Sequence, residues 1–255
     1  MQLNMPQGVT KLSHEIYDIH MMMFYICMVI GIGVFGAMIY AMIRFRKSKG
    51  AVAAQFHENT KLEILWTVIP FMILIAAVIP ATATLIHVED RTPGDLMVQI
   101  TGYQWKWQYK YLGTDVAFFS TLDRKTNQAR RKGSGIDPRT VPHYLLNVDK
   151  PLVIPAQRKV RFAITSNDVS HSWWVPDFGI KKDAITGYIN DSWVEVDKPG
   201  VYRGQCAELC GRDHAYMPIV VVVLPPEDFD RWLEQAKSNP TQYPALAMAG
   251  EHWPL

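Results

Sequence analysis

Two uncharged apolar runs constrain this chain more than any other feature: Met21 to Ile43, MMMFYICMVIGIGVFGAMIYAMI, and Ile64 to Ile86, ILWTVIPFMILIAAVIPATATLI. Each is 23 residues long. At a rise of about 1.5 Å per residue each makes a helix about 35 Å long, enough to cross a hydrocarbon core about 30 Å thick. Neither run carries the polar face of a helix buried in a soluble protein, and Pro70 and Pro80 are tolerated inside membrane helices. The expectation is a transmembrane helical hairpin over 21–87, with helices at about 21–43 and 63–87 and a connecting loop at 44–62. Arg44, Arg46, Lys47 and Lys49 directly follow the first run, so the positive-inside bias makes that loop cytoplasmic. An outer N-terminal segment, 1–20, and everything from about His87 onward then face the other side. Residues 1–20 lack a basic stretch followed by an apolar one, so they do not read as a signal peptide.

Beyond His87 the apolar pattern changes to alternation by two, in LMVQIT, KVRFAIT and PIVVVVL, punctuated by Pro and Gly. Many short strands of this kind make a β-sandwich or barrel, expected over 88–237. Near its end EDFDRWLEQAK places Phe229, Trp232, Leu233 and Ala236 at helical spacing. The tail 238–255 has no usable pattern. In GYQWKWQYKY the aromatics Tyr103, Trp105, Trp107, Tyr109 and Tyr111 alternate with polar residues, which on one strand gives a wholly aromatic face. The segment DRKTNQARRKGSGIDPR reads as an exposed loop. Its Arg130, Arg131 and Lys132 read as a solvated charge run, with a contact surface for an acidic or lipid partner as the alternative. Lys+Arg number 26 against 24 Asp+Glu, so the bulk basic excess of a nucleic-acid binder is missing.

The chemistry concentrates in CAELCGRDHAYM, Cys206 to Met217. A disulfide between Cys206 and Cys210 is open to a chain in an oxidising compartment. Structural zinc has no use for the thioether of Met217. Two thiolates, an imidazole and a thioether are instead the soft set that selects copper in electron-transfer sites, although a mononuclear blue-copper site uses one cysteine rather than two. Two thiolates can bridge two copper ions, with His214 serving one of them. The second imidazole is expected from His171 in NDVSHSWWVPDFG, with His143 as the competing candidate.

The segments HSWWVPDFGIKKDAI, YRGQCAELCGRDHAYMPIVV and GYQWKWQY, preceded by a two-helix anchor, resemble subunit II of cytochrome c oxidase in its bacterial haem-a class. The similarity covers about Lys11 to Leu233. It implies a membrane-anchored α+β protein with a cupredoxin-like Greek-key β-barrel holding a binuclear copper centre, CuA. The implied ligands are His171, Cys206, Cys210, His214, Met217 and the backbone carbonyl of Glu208. Cys27 lies in the first run and matches no ligand.

The same resemblance implies that cytochrome c delivers electrons at Trp105 and that the centre passes them to haem in subunit I. There oxygen is reduced to water with proton pumping. Subunit III is a further expected partner. The Glu208 carboxylate is expected to help bind magnesium shared with subunit I, Glu63 to stand at the mouth of a proton pathway, and Asp168 to dock cytochrome c, with Asp115 and Asp123 as weaker docking acids. The implied location is a bacterial inner membrane, crossed twice, with both termini and the copper domain periplasmic. The rivals are a membrane-tethered copper-delivery or sensor protein, a quinol oxidase subunit lacking copper ligands, nitrous-oxide reductase, and a structural module closed by the Cys206–Cys210 disulfide.

Overall fold

A computed structural model describes residues 3–239 and 242–244. The chain divides into two compact units: residues 15–87 form one, and 1–14 together with 88–255 form the other. Most of the expected tail, 238–255, lies outside the described residues.

The first unit is helical. Helix α1 spans Lys11–Arg44 and α2 spans Thr60–Val88, with a 3-10 turn at Lys47–Lys49 between them. Helix α1 starts ten residues ahead of the apolar run, and the reason is local chemistry. Ser13 N donates to Thr10 Oγ1 at 2.9 Å while Thr10 N donates to Ser13 Oγ at 3.0 Å, a reciprocal cap that satisfies otherwise orphaned backbone donors. The apolar run marks only the part of a helix that needs lipid, so it cannot reveal a polar first turn. Helix α2 is capped by Asn59, whose Oδ1 accepts from Leu62 N at 3.2 Å, and it carries Pro70 and Pro80 inside its span. Almost none of either apolar surface is buried by protein: α1 buries Leu12 and Ser13, and α2 buries nothing. Surface of that extent has to face hydrocarbon, so the chain is a membrane protein. His87 Nδ1 and Glu15 Oε2, 2.8 Å apart, link the two helices.

The second unit is a sandwich of two five-stranded sheets. Its strands are β1 (Leu96–Tyr103), β2 (Lys106–Tyr111), β3 (Ala117–Ser120), β4 (Leu152–Pro155), β5 (Val160–Ser166), β6 (His171–Val175), β7 (Ile180–Ala184), β8 (Asn190–Val194), β9 (Gly200–Cys206) and β10 (Pro218–Leu224). One sheet runs β3-β2-β1-β5-β8 and the other β4-β10-β9-β6-β7. Pairing is antiparallel except for β1 with β5 and β10 with β4. Val98, Ile100, Trp107, Tyr109 and Phe162 from the first sheet and Ile154, Trp173, Ile219, Val221 and Val223 from the second are fully buried in one core. Tyr111 joins the sheets at a single point: its hydroxyl donates to Val153 O at 2.7 Å and accepts from Val153 N at 3.1 Å. Every residue of β10 is buried, a continuous apolar strand rather than the expected alternation. Helix α4 (Pro226–Ser238) adds Phe229, Trp232 and Ala236 to the same core, as its helical spacing predicts.

Two expectations fail here. GYQWKWQYKY is not one strand: the chain turns at Gln104 and Trp105, so Tyr103 ends β1 opposite Lys106 of β2. The turn reverses the phase, because Gly102 pairs with the inward Trp107 and leaves Tyr103 on the outer face against Phe119, with ring centroids 5.4 Å apart. The basic segment is not wholly a loop either. It contains helix α3 (Arg124–Ala129), begun by Asp123, whose carboxylate accepts from Lys125 N and Thr126 N. Thr126 and Ala129 are buried. A six-residue helix is too short for apolar periodicity to announce it.

The N-terminal residues belong to this unit. Val9 N donates to Asp177 O at 2.9 Å, Asp197 N to Val9 O at 3.2 Å, and Thr10 Oγ1 to Phe178 O at 3.0 Å.

Candidate metal centre

Four segments converge at one end of the sandwich. Strand β6 opens with His171, β9 closes with Cys206, the loop after β9 carries Glu208 and Cys210, and a 3-10 turn at His214–Tyr216 leads to Met217 just before β10. Trp173 pairs with Cys206 across β6 and β9, which puts His171 and Cys206 at the same end of that sheet.

The donors form two sets, one around each sulfur. Cys206 Sγ lies 3.9 Å from His171 Nδ1 and 3.4 Å from Glu208 O. Cys210 Sγ lies 3.4 Å from His214 Nδ1 and 3.5 Å from Met217 Sδ. The sulfurs are 3.9 Å apart and both cysteines are free, nearly twice the ~2.05 Å of a disulfide. Each thiol thus has its own imidazole and its own weak donor, a carbonyl on one side and a thioether on the other. His171, Cys206, Cys210 and Met217 are all buried, as an electron-transfer centre closed to water requires. His143, the competing imidazole, is exposed and outside this cluster. The donor set fits a pair of soft, sulfur-bridged ions, and copper is the metal such ligands select.

Electrostatics divide the two thiols. Burial raises the Cys206 pKa, but hydrogen bonding to His171 and to the backbone outweighs it and leaves the thiol below its ordinary value. Burial, reinforced by the neighbouring Cys206, pushes the Cys210 thiol up to about 12. For His171, burial lowers the pKa, yet the contacts with Cys206 and Asp168 raise it overall.

The surroundings hold this set in place. Asp168 Oδ1 lies 2.9 Å from His171 Nε2, which leaves Nδ1 turned toward Cys206. Asp168 also accepts from Gln104 N at 2.7 Å and from Val169 N at 2.7 Å. Burial raises its pKa, but these hydrogen bonds prevail and keep the carboxyl below its usual range. This acid, expected on the sequence to face a partner, is exposed while it holds His171. From the β1–β2 turn, Gln104 Nε2 donates to Cys210 O at 2.9 Å and Trp105 Nε1 donates to the same carbonyl at 3.2 Å. Trp107 Nε1 donates to Met217 O at 3.3 Å. Trp105 is half-buried, so part of its ring stays open to solvent.

Sequence reasoning missed Gln104 and Gly102. A Cβ on Gly102 would stand 2.7 Å from Cδ2 of His171, so only glycine lets β1 pass the imidazole. The available signal was a lone glycine inside a strand pattern, which often marks a close approach. Of the other expected residues, Glu63 sits in the first turn of α2, where it is exposed. Cys27 lies in α1, outside the cluster.

The fold and the donor set define a class: a membrane-anchored β-sandwich carrying a two-sulfur, soft-ligand centre suited to moving electrons. Two family profiles match the chain, "Cytochrome C oxidase subunit II, periplasmic domain" over residues 96–224 and "Cytochrome C oxidase subunit II, transmembrane domain" over 1–83. The probable cytochrome c oxidase subunit 2 of Rickettsia bellii is 38% identical over 237 residues, 91% of this chain and 83% of the relative. Cytochrome c oxidase subunit 2 of Cereibacter sphaeroides is 36% identical over 209 residues, 79% of this chain and 69% of the relative. The solved periplasmic domain of subunit II of cytochrome oxidase from Bradyrhizobium japonicum shares 37% identity over 58% of this chain and 96% of that one, with a TM-score of 0.49. The chain belongs to the cytochrome c oxidase subunit II family. It is the subunit through which electrons enter a haem–copper oxidase, in complex with subunit I.

Proposed function

We propose that cytochrome c delivers electrons to this subunit at Trp105 and that they leave for haem in subunit I, where oxygen is reduced to water with proton pumping. His171, Cys206, Cys210, His214, Met217 and the Glu208 carbonyl would hold the binuclear copper centre CuA. When bound, it supplies a one-electron carrier whose unpaired electron is shared between two copper ions. The observation that carries this reading is the paired donor set, one imidazole and one weak donor beside each of two unbonded sulfurs.

The chain's own residues do the rest. Asp168 fixes the His171 ring by its Nε2 and, through Gln104 N, ties it to the β1–β2 turn. Hydrogen-bonded neighbours of this kind hold a ligand in one orientation. The Trp105 indole reaches the solvent surface at one edge and the Cys210 carbonyl at its N–H, a short path from a docked protein to a metal ligand. Trp107 secures the thioether end through Met217 O. Asp168, exposed beside the site, would serve this supporting role and also help dock cytochrome c.

The Glu208 carboxylate, exposed on the ligand loop, would contribute to a magnesium site shared with subunit I, because hard cations take oxygen ligands. Glu63, at the start of α2, would stand where protons approach subunit I, and subunit III completes the set of membrane partners. The positive-inside bias of Arg44, Arg46, Lys47 and Lys49 supports the cytoplasmic side of a bacterial inner membrane for the loop between α1 and α2. The N-terminal segment, the copper domain (88–237) and the tail (238–255) are then periplasmic.

Electron paramagnetic resonance with copper and thiol quantitation, on the copper-loaded protein, tests the core of this. Two coppers per chain sharing one unpaired electron are expected. Copper confined to one nucleus would replace this reading with a copper-delivery or sensor role.

A further inference from the structure

We infer that the loop between α1 and α2 binds an anionic phospholipid, whose phosphate diester is held by Arg46, Lys47 and Lys49 at the level of the bilayer headgroups. The inference rests on α1 and α2 as membrane helices and is independent of the copper centre.

The loop opens with charge of one sign. Residues 44–57 carry four cations, Arg44, Arg46, Lys47 and Lys49, and the first acid after them is Glu58. All four are exposed, and among the described residues none of them is in an ion pair with the chain's own acids. In the outer unit, by contrast, Arg130, Arg158, Lys159, Arg161 and Lys182 each meet a carboxylate of the chain. The backbone gathers the loop cations further. Lys49 N donates to Arg46 O at 3.0 Å and Gly50 N to Lys47 O at 2.9 Å, and Gly50, at a φ of 71°, ends the turn in the left-handed region. At about 2 Å of rise per residue, such a turn keeps Arg46, Lys47 and Lys49 within about 6 Å along its axis. Three like charges held this close, with no acid of the chain between them, call for an external anion.

Depth decides which anion. The apolar run that crosses the hydrocarbon ends at Ile43, and Arg44 follows in the last turn of α1. Headgroups add about 5–7 Å to each side of the hydrocarbon core, so the turn just beyond Arg44 lies among them. Aromatic rings mark the same level. Tyr40 and Phe45 meet edge to face at 6.1 Å, the Arg44 guanidinium lies 5.7 Å from the Phe45 ring centroid, and Trp66 is exposed in the second turn of α2. Rings of this kind settle where hydrocarbon gives way to headgroups. Lipid phosphates occupy that layer, where the Arg46 guanidinium meets them as a planar fork and the two lysines as point charges. Phosphatidylcholine carries its own cation, so a headgroup with net negative charge is the better match. A protein partner would have to bring a carboxylate to this depth, whereas lipid phosphate is already there.

The test is native mass spectrometry of the full chain and of the intact oxidase, each exchanged into neutral detergent with equal amounts of phosphatidylglycerol and phosphatidylcholine. Phosphatidylglycerol should be the lipid retained. The double variant Lys47→Gln with Lys49→Gln leaves Arg44 and Arg46 to set the orientation of the hairpin. It should weaken retention about 25-fold, about fivefold for each cation at the surface. Lys47→Arg with Lys49→Arg keeps the charge and should keep the lipid. Equal retention of the two lipids overturns the proposal, as does a Gln variant that holds phosphatidylglycerol as tightly as the parent. Loss from the Arg variant as well shows that charge is not what holds the lipid, and it sinks the proposal too. Displacement of the lipid by inorganic phosphate would make this a free-phosphate site instead. Retention by the full chain but not by the intact oxidase would assign the loop to a neighbouring subunit.

Discussion

Asp168 accepts hydrogen bonds from two backbone N–H groups while holding the Nε2 end of His171, so one carboxylate couples a proposed metal ligand to the turn that carries Trp105. Asp168→Asn should weaken copper binding about 10- to 100-fold, the usual loss when the hydrogen-bond partner of a ligating histidine is removed. Competition with a copper chelator measures it, and unchanged affinity would remove the residue from the site. Trp105→Phe keeps most of the ring packing but deletes the N–H that reaches the Cys210 carbonyl. Electron transfer from the donor should slow at least about tenfold, roughly 1.4 kcal/mol on the barrier, with the copper spectrum intact. Stopped-flow reduction of the loaded oxidase reads both. Gly102→Ala would press a methyl group against His171, so it should perturb the copper spectrum while leaving Trp105 in place. Four of the proposed ligands, Cys206, Cys210, His214 and Met217, stand out in the sequence because they crowd into twelve positions. Gly102 and Gln104 do not, since their importance comes from what another strand brings beside them.

At the level of elements, the β1–β2 turn and the link between the sheets decide the geometry of the centre. Tyr111→Phe removes the hydroxyl that satisfies both Val153 backbone groups. Orphaning buried polar groups costs about 1–3 kcal/mol each, so a loss of stability on the order of 2 kcal/mol should appear in urea unfolding of the outer domain. The aromatic run illustrates what periodicity can miss. Alternation of aromatic and polar residues continues through Tyr103 and Trp105, yet the chain reverses there, and a two-residue turn carries no apolar signature of its own. In the same way α3 depends on the Asp123 cap and two buried residues, Thr126 and Ala129, too few for a helical pattern to emerge. Long elements with one dominant face, such as α4, were readable, because Phe229, Trp232 and Ala236 all had to meet the core.

Across the whole molecule, a metal held by the proposed ligands would be linked to the fold, because they come from β6, the end of β9 and the segment before β10. A ligand present at about a hundred times its dissociation constant stabilises the native state by about 2.7 kcal/mol. Stripping copper from the outer domain should therefore lower its Tm by roughly 5–10 °C, and thiol titration of the stripped domain should find Cys206 and Cys210 both reduced. A transition that copper leaves unmoved would show that the loop does not fold around the metal. The sequence by itself determined the two membrane helices, the β-rich domain that follows them and the clustering of soft donors between Cys206 and Met217, because each depends on composition or spacing within a short window. The tertiary structure alone decided that Asp168 meets the Gln104 backbone, that Gln104 and Trp105 converge on the Cys210 carbonyl, and that Arg130 brings a basic segment to the cleft that Trp105 lines. Those pairings join residues 64 to 106 positions apart, or 83 for Arg130 and Asp213. Folding sets such distances through sheet register and packing, which no local pattern encodes.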